Sequence, residues 1–335
     1  MTAADDLPSP AHRLPASTVA RFFGDLHLGD GGRNDAFGRK DRLLVDQLAD
    51  CARTCDAVVF MGDALDVPQG FTVRRILRAH PSVARALTEL AAQVPVFFVR
   101  GNHDWTVDYD SLFPGARACE ALRIGDTLVW HGHHLDRYCH PGATSHAVQM
   151  FLHHLFERTL GFQFRVPLHD FDTWQNRIGH WLGAAFARHL RRMTALYTQL
   201  GVPARAESGE AFIRYWSRAV WGDPHALFAP TATLLREGPY RAVVAGHTHL
   251  PGVIDLDGPA PSETPGATYV NAGSWTFDAA QTATWDGRRF TVHDYLAPTP
   301  APGVGPPVDG SGGLQTPPNH ATPCIPTRLA RLCGP

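Results

Sequence analysis

Five short polar clusters in this 335-residue chain carry side chains that hold divalent metals and move protons. Asp25 and His27 stand two apart in GDLH, and Asp63 and Asp66 stand three apart in GDALD. Asn102, His103 and Asp104 follow in GNHD, His131 in HGHH, and His247 with His249 in GHTH. Carboxylate oxygen, imidazole nitrogen and amide oxygen in that mixture suit first-row divalent metals. Asp25, His27, Asp63, Asn102, His103, His131, His247 and His249 are too many for one ion. They suit two ions roughly 3.5–4 Å apart with one carboxylate between them. Alternate residues of an extended segment point to the same side, so Asp-x-His and His-x-His should each present two side chains to one site. Taken singly, each cluster has an ordinary use: a turn, a loop, or, for Asp66, a helix N-cap.

What must position these side chains is a set of buried strands. Each cluster follows an apolar run: TVARFF before GDLH, DAVVFM before GDALD, VPVFFV before GNHD, TLVW before HGHH, and RAVVA before GHTH. A sixth run, ATYV, precedes NAGSW. Runs of four to six residues rich in Val and Phe, each stopped within two residues by Gly or Asn, read as interior strands of a layered α/β protein. The segments DRLLVDQLADCART and PSVARALTELAAQ place apolar residues at i, i+3, i+4 and i+7 and read as helices between strands. In open α/β sheets the carboxyl ends of strands converge on one crevice, so clusters distant in sequence can meet there.

Four regions are expected. Residues 1–17 read as a flexible leader, and 18–142 with 238–296 as the core. Residues 143–237 are rich in aromatics, helical in period and without a clear strand, and read as a helical insertion. Residues 297–335 are Pro/Gly-rich and too poor in apolar residues to order a core. The formal net charge of -2 leaves no basic face for nucleic acid. Lys40 is the only lysine; all other basic residues are arginine or histidine. The six cysteines include no C-x-x-C pair, which argues against a zinc ribbon or redox motif and for a reducing compartment. Cys51 and Cys55 stand four apart on an expected helix and read as small buried thiols. With no secretory signal and no apolar run of about 18 residues, the chain is expected to be cytoplasmic, with peripheral membrane contact through 143–237 as its only route to a bilayer.

The order GDLH, GDALD, GNHD, HGHH, GHTH resembles the calcineurin-like metallophosphoesterases over roughly residues 19–135 and 238–295. The resemblance implies a four-layer αββα sandwich of two mixed β-sheets. It implies that Asp25, His27 and His249 hold one metal, that Asn102, His131 and His247 hold the other, and that Asp63 bridges them. His103 matches the family's catalytic histidine and Asp66 the acidic residue that orients it. The implied chemistry is hydrolysis of a phosphodiester or pyrophosphate bond by metal-activated water, with His103 protonating the leaving oxygen. Manganese is the first expectation for the ions, with iron or zinc as alternatives.

GDALD lacks the Arg, and GNHD the closing Glu, of the phosphoprotein phosphatases. The motif order with a helical insertion before GHTH more closely resembles the bacterial branch containing the UDP-2,3-diacylglucosamine pyrophosphohydrolases. That branch typically has Arg where this chain has His103, and HGD where it has HGHH. A lid at 143–237 could receive acyl chains of a lipid-linked substrate, or could simply pack on the core. Arg137, Arg165 and Arg177 are candidates for a second phosphate contact. Among the additional histidines His133 stands out, because it follows His131 so closely. NAGSW, 271–275, is expected to close the core near the metals. The alternatives are a cyclic-nucleotide or other nucleotide phosphodiesterase, and a non-catalytic scaffold on the same fold.

Overall fold

A computed structural model describes residues 9–135, 192, 231, 234–235, 238–255 and 267–297. The expected insertion, apart from residues 192, 231, 234 and 235, lies outside the described residues, as do the tail beyond 297 and Arg137, Arg165 and Arg177.

All six apolar runs form strands. They are β2 (Ala20–Phe23), β3 (Ala57–Phe60), β4 (Val96–Val99), β7 (Thr127–Trp130), β8 (Ala242–Ala245) and β10 (Thr268–Asn271). Every residue of β3, β4, β7 and β8 is buried. Strands covered on both faces need apolar residues at every position, which is why they are legible as continuous runs. The two periodic segments form helices α1 (Asp41–Thr54) and α4 (Pro81–Ala91). Shorter helices α2 (Val67–Gly70) and α3 (Val73–Ala79) lie between β3 and α4, and α5 (Tyr109–Leu112) follows β4.

The remaining strands are β1 (His12–Leu14), β5 (Ala116–Cys119), β6 (Ala121–Ile124), β9 (Gly252–Asp255), β11 (Gln281–Trp285) and β12 (Phe290–Asp294). One sheet runs β1-β6-β7-β8-β10-β9 and the other β12-β11-β2-β3-β4-β5, and both mix parallel and antiparallel pairs. Three apolar clusters mark the layering. Leu44, Leu48, Val83 and Leu87 of the helices pack on Val58, Phe60 and Phe98 of the second sheet. Phe22, Val59 and Phe97 meet Leu122, Val129, Val244 and Val270 between the sheets. Leu128, Trp130 and Val243 pack with the helical Leu234 and Leu235 on the far face of the first sheet. This is the expected α/β sandwich.

The flexible leader expected at 1–17 needs correction, because His12–Leu14 pair in parallel with Leu122–Ile124 as an edge strand. Three residues flanked by prolines give no periodicity to read. The strand exists because β6 offers an open edge and Leu14 packs against the core between the sheets.

The loop after β2 is tied to the helices by a buried ionic cluster. His80, between α3 and α4, sets Nε2 3.0 Å from Asp35 Oδ2 and Nδ1 2.9 Å from Asp41 Oδ1. Burial alone would lower the His80 pKa, but hydrogen bonds to Asp35 and Asp41 outweigh it and raise it above the ordinary value. A group whose folded-state pKa is raised contributes stability that is complete below its unfolded pKa and is lost as pH rises through the folded one. The stability difference between wild type and His80→Gln should therefore be largest below about pH 6.5, the ordinary histidine value, and shrink above it. Denaturant titrations of both proteins across pH check this. A pH-independent difference would show that His80 is not held as an imidazolium.

Candidate metal centre

The five clusters lie just beyond the carboxyl ends of β2, β3, β4, β7 and β8. β2, β3 and β4 are mutually parallel in one sheet, and β7 and β8 are parallel in the other, so their ends open on one edge of the sandwich. The side chains do not converge by strand alternation, as expected from spacing. The strands stop at Phe23, Phe60 and Ala245, and four site residues beyond them have left-handed backbones. The φ angles are +48° at His27 and Asp63, +65° at His247 and +57° at His249. Asp and His tolerate this region better than most residues, at order 1–3 kcal/mol each, and such strain concentrates at functional sites.

Two glycines allow the close approach. Gly62 has φ +100°, and a Cβ there would run into the His131 ring; a Cβ on Gly246 would run into Asp25 Oδ1. Gly62→Ala should cost more than about 1 kcal/mol, since it combines an incompatible φ with a clash. Thermal denaturation checks this, and an unchanged melting temperature would show that the loop relaxes freely.

Among the described residues, three groups of side chains bring ligand atoms within 4.8 Å of one another: Asp25, His27 and His249; His27, Asp63 and His103; Asp63, His131 and His247. His249 Nε2 lies 3.2 Å from both Asp25 Oδ2 and His27 Nε2. His131 Nε2 lies 3.2 Å from Asn102 Oδ1 and 3.4 Å from Asp63 Oδ2. The same Asp63 Oδ2 is 3.7 Å from His27 Nε2. One carboxylate oxygen thus stands between the two donor sets. Asp63 Oδ1 is held by the His103 backbone N–H at 2.8 Å.

Hydrogen bonds fix which nitrogen of His131 and of His27 faces inward. His131 Nδ1 donates to the Met61 carbonyl at 2.7 Å, leaving Nε2 for the centre. His27 Nδ1 donates to Asp66 Oδ2 at 3.2 Å, again leaving Nε2. Such outer hydrogen bonds set the tautomer and basicity of ligating histidines. Asp66 also takes the His103 Nδ1–H on Oδ1 at 2.9 Å and caps α2 through the Gln69 N–H. The N-cap and the orienting role expected as alternatives for Asp66 are combined in one carboxylate.

The electrostatics follow from pairing in a buried site. Burial opposes ionisation of Asp63, but the imidazoles of His131 and His103 hold its carboxyl well below the usual range. Asp66 is held down in the same way by His103 and His27, against burial. Asp25 is lowered by His131 and His249, again against burial. Burial would lower His27, but its bond to Asp66 raises it.

The residues fit divalent cations. Asp25 Oδ1 is fully buried with no hydrogen-bond partner, a costly state for a carboxylate oxygen. It stands in a set of oxygen and imidazole donors of the kind such cations take. His133 is likewise buried with neither ring nitrogen hydrogen-bonded, and its ring centroid is 5.3 Å from that of His131.

Two supporting residues had only a faint sequence signal. Asp104 accepts from the Ala64 and Gly101 N–H groups at 2.8 Å and from the Tyr109 hydroxyl at 2.6 Å, so it joins the second and third clusters. Asn271, the first residue of NAGSW, donates to the Gly246 carbonyl at 2.8 Å and to Thr248 Oγ1 at 3.0 Å. It supports the turn that carries His247 and His249, in keeping with a segment that closes the core beside the centre.

A fold of two stacked mixed sheets, with a buried His/Asp/Asn centre at their shared edge, defines a metal-dependent hydrolase. The sequence profile of the calcineurin-like phosphoesterases matches residues 21–251, and the chain belongs to that family. It is a metal-dependent phosphoesterase, and among its described residues are His/Asp clusters of the kind that hold a divalent metal. No curated protein matches the chain. No helix among the described residues is long and apolar enough to cross a membrane.

Proposed function

We propose that this chain hydrolyses a phosphodiester or pyrophosphate bond with a dinuclear metal centre. The observation that carries the reading is Asp63 Oδ2, which lies between His27 Nε2 at 3.7 Å and His131 Nε2 at 3.4 Å, within reach of both donor sets. On this reading Asp25, His27 and His249 hold one ion, Asn102, His131 and His247 the other, and Asp63 is shared. Manganese is the ion assigned first, since carboxylate and amide oxygens contribute strongly to both sets. When bound, the ions supply Lewis acidity at the phosphoryl oxygens and acidify water.

The chain's own residues supply orientation and a proton. With Nδ1–H held by Asp66, His103 presents Nε2 to the centre, and a proton there passes to the departing oxygen. Asp66 favours the protonated ring by its charge. The substrate class on this reading is a small or lipid-linked phosphodiester or pyrophosphate, and the working compartment is the cytoplasm.

Hydrolysis of bis(p-nitrophenyl) phosphate beside p-nitrophenyl phosphate, with manganese and with chelator, tests it. Diester activity that is lost with chelator and restored by manganese is expected. Activity confined to the monoester overturns the diesterase assignment. No activity on either, with metal shown to be bound, favours a scaffold role.

A further inference from the structure

The fourth cluster sets a second histidine, His133, beside the centre, and neither donor set uses it. His133–Leu135 form a single 3-10 turn, reached from His131 through Gly132 at φ +99°. His133 is 1% exposed, and neither ring nitrogen has a hydrogen-bond partner among the described residues. An imidazole carries an N–H donor in every protonation state, and a buried donor left unpaired is costly.

The surrounding rings fix its place. The His133 ring centroid lies 5.3 Å from that of His131 and 6.5 Å from that of His247. These are the two imidazoles assigned to the second ion. His134 packs on it at 3.9 Å, stacks parallel to Trp130 at 6.1 Å, and sets Nε2 3.7 Å from Glu120 Oε2. His103 holds the matching place beside the first donor set, 4.7 Å from the ring of His27. Its Nδ1 is committed to Asp66, whereas both nitrogens of His133 are uncommitted. His247 is half-buried, so this side of the centre is reachable from solvent.

His133 joins none of the three ligand groups found among the described residues, although His131 and His247 form one with Asp63. A side chain packed against a donor set but outside it reaches that set's ligand across one intervening atom. In a phosphoesterase that atom is an oxygen of the phosphoryl group.

We propose that His133 contacts the substrate, donating a ring N–H to a non-bridging phosphoryl oxygen on the Asn102/His131/His247 side of the centre, an assignment that rests on the dinuclear reading above. Buried among imidazoles, the ring is neutral, with one nitrogen a donor and the other an acceptor. It transfers no proton; it holds the phosphoryl group in place. A contact made alike before and during the reaction contributes to KM rather than to kcat.

Inorganic phosphate titrated calorimetrically into the manganese-loaded full chain, with metal content measured on the same samples, tests this. His133→Leu should bind as much manganese as wild type and phosphate about 10–100-fold more weakly, the span of one hydrogen bond to a charged group. KM for bis(p-nitrophenyl) phosphate should rise by a like factor with kcat little changed. Metal-free His133→Leu should melt no lower than wild type, since an apolar side chain replaces an unpaired polar one. Glutamine sets an amide N–H near the place of Nε2–H, and asparagine near that of Nδ1–H. One of His133→Gln and His133→Asn should therefore recover phosphate affinity and so identify the donor nitrogen.

Equal phosphate affinity in wild type and His133→Leu, whether tight or undetectable, overturns the proposal. Manganese lost in step with phosphate affinity makes His133 a ligand and overturns it too. So does equal weakening in all three variants with a lower melting temperature, which is a packing effect. The dinuclear reading fails separately: one manganese ion per wild-type chain defeats it, and the phosphate contact then stands or falls on the calorimetry alone.

Discussion

His103→Gln should lower kcat for diester hydrolysis by about 10²–10⁴-fold, the range a positioned general acid supplies. It should leave KM and bound metal close to wild type. The reason lies in how His103 is held. Its Nδ1–H is committed to Asp66 at 2.9 Å, and its backbone N–H anchors Asp63 Oδ1. Glutamine keeps the backbone contact and loses the titrating nitrogen. Because His103 also groups with His27 and Asp63, metal analysis must accompany kinetics. If metal content falls in step with activity, His103 is a ligand and its role as proton donor fails. Asp66→Asn should act more mildly, by about 10–100-fold, as expected when an outer partner of ligating histidines is weakened. The loss should appear both in metal affinity, through His27, and in kcat, through His103.

Asp63→Asn should have the larger effect and a different signature. The asparagine oxygen can still accept the His103 N–H, so the loop should hold. What disappears is the negative oxygen between the two donor sets. On the dinuclear reading both ions lose a ligand and the charge that offsets their repulsion. Activity should drop by more than the roughly 10²–10³-fold that one electrostatic contact supplies. Metal bound per chain should fall, and excess manganese should restore activity only partly. A variant that keeps its metal and most of its activity would remove the shared-carboxylate reading. Plasma emission spectrometry on the purified variant, run beside the diester assay, distinguishes these results.

Much of this molecule was legible in its sequence. The interior strands were visible because residues covered on both faces must be apolar at each position, as in Val96–Val99. α1 was readable to its ends, since its apolar residues recur at helical spacing. The edge strands were not readable. Ala116–Cys119 and Phe290–Asp294 are short, carry polar residues and face solvent in part. They are strands because a neighbour offers a ladder, which composition does not reveal. Cys51 and Cys55 read as small buried thiols; Cys51 is buried, and Cys55, which closes α1, is partly exposed.

The sequence by itself determined which side chains reach the shared sheet edge, because each cluster is announced by the apolar run that ends beside it. Only the tertiary structure decided how they combine. Residues 27 and 249 meet at 3.2 Å although 222 positions separate them, since strand order across two sheets sets that distance. The left-handed backbone at His27, Asp63, His247 and His249 is also invisible in a period-two pattern. It turns His247 toward His131 and Asp63, and His249 toward Asp25 and His27. Local spacing fixes which residues reach the sheet edge; packing and strained dihedrals determine which atoms face one another there.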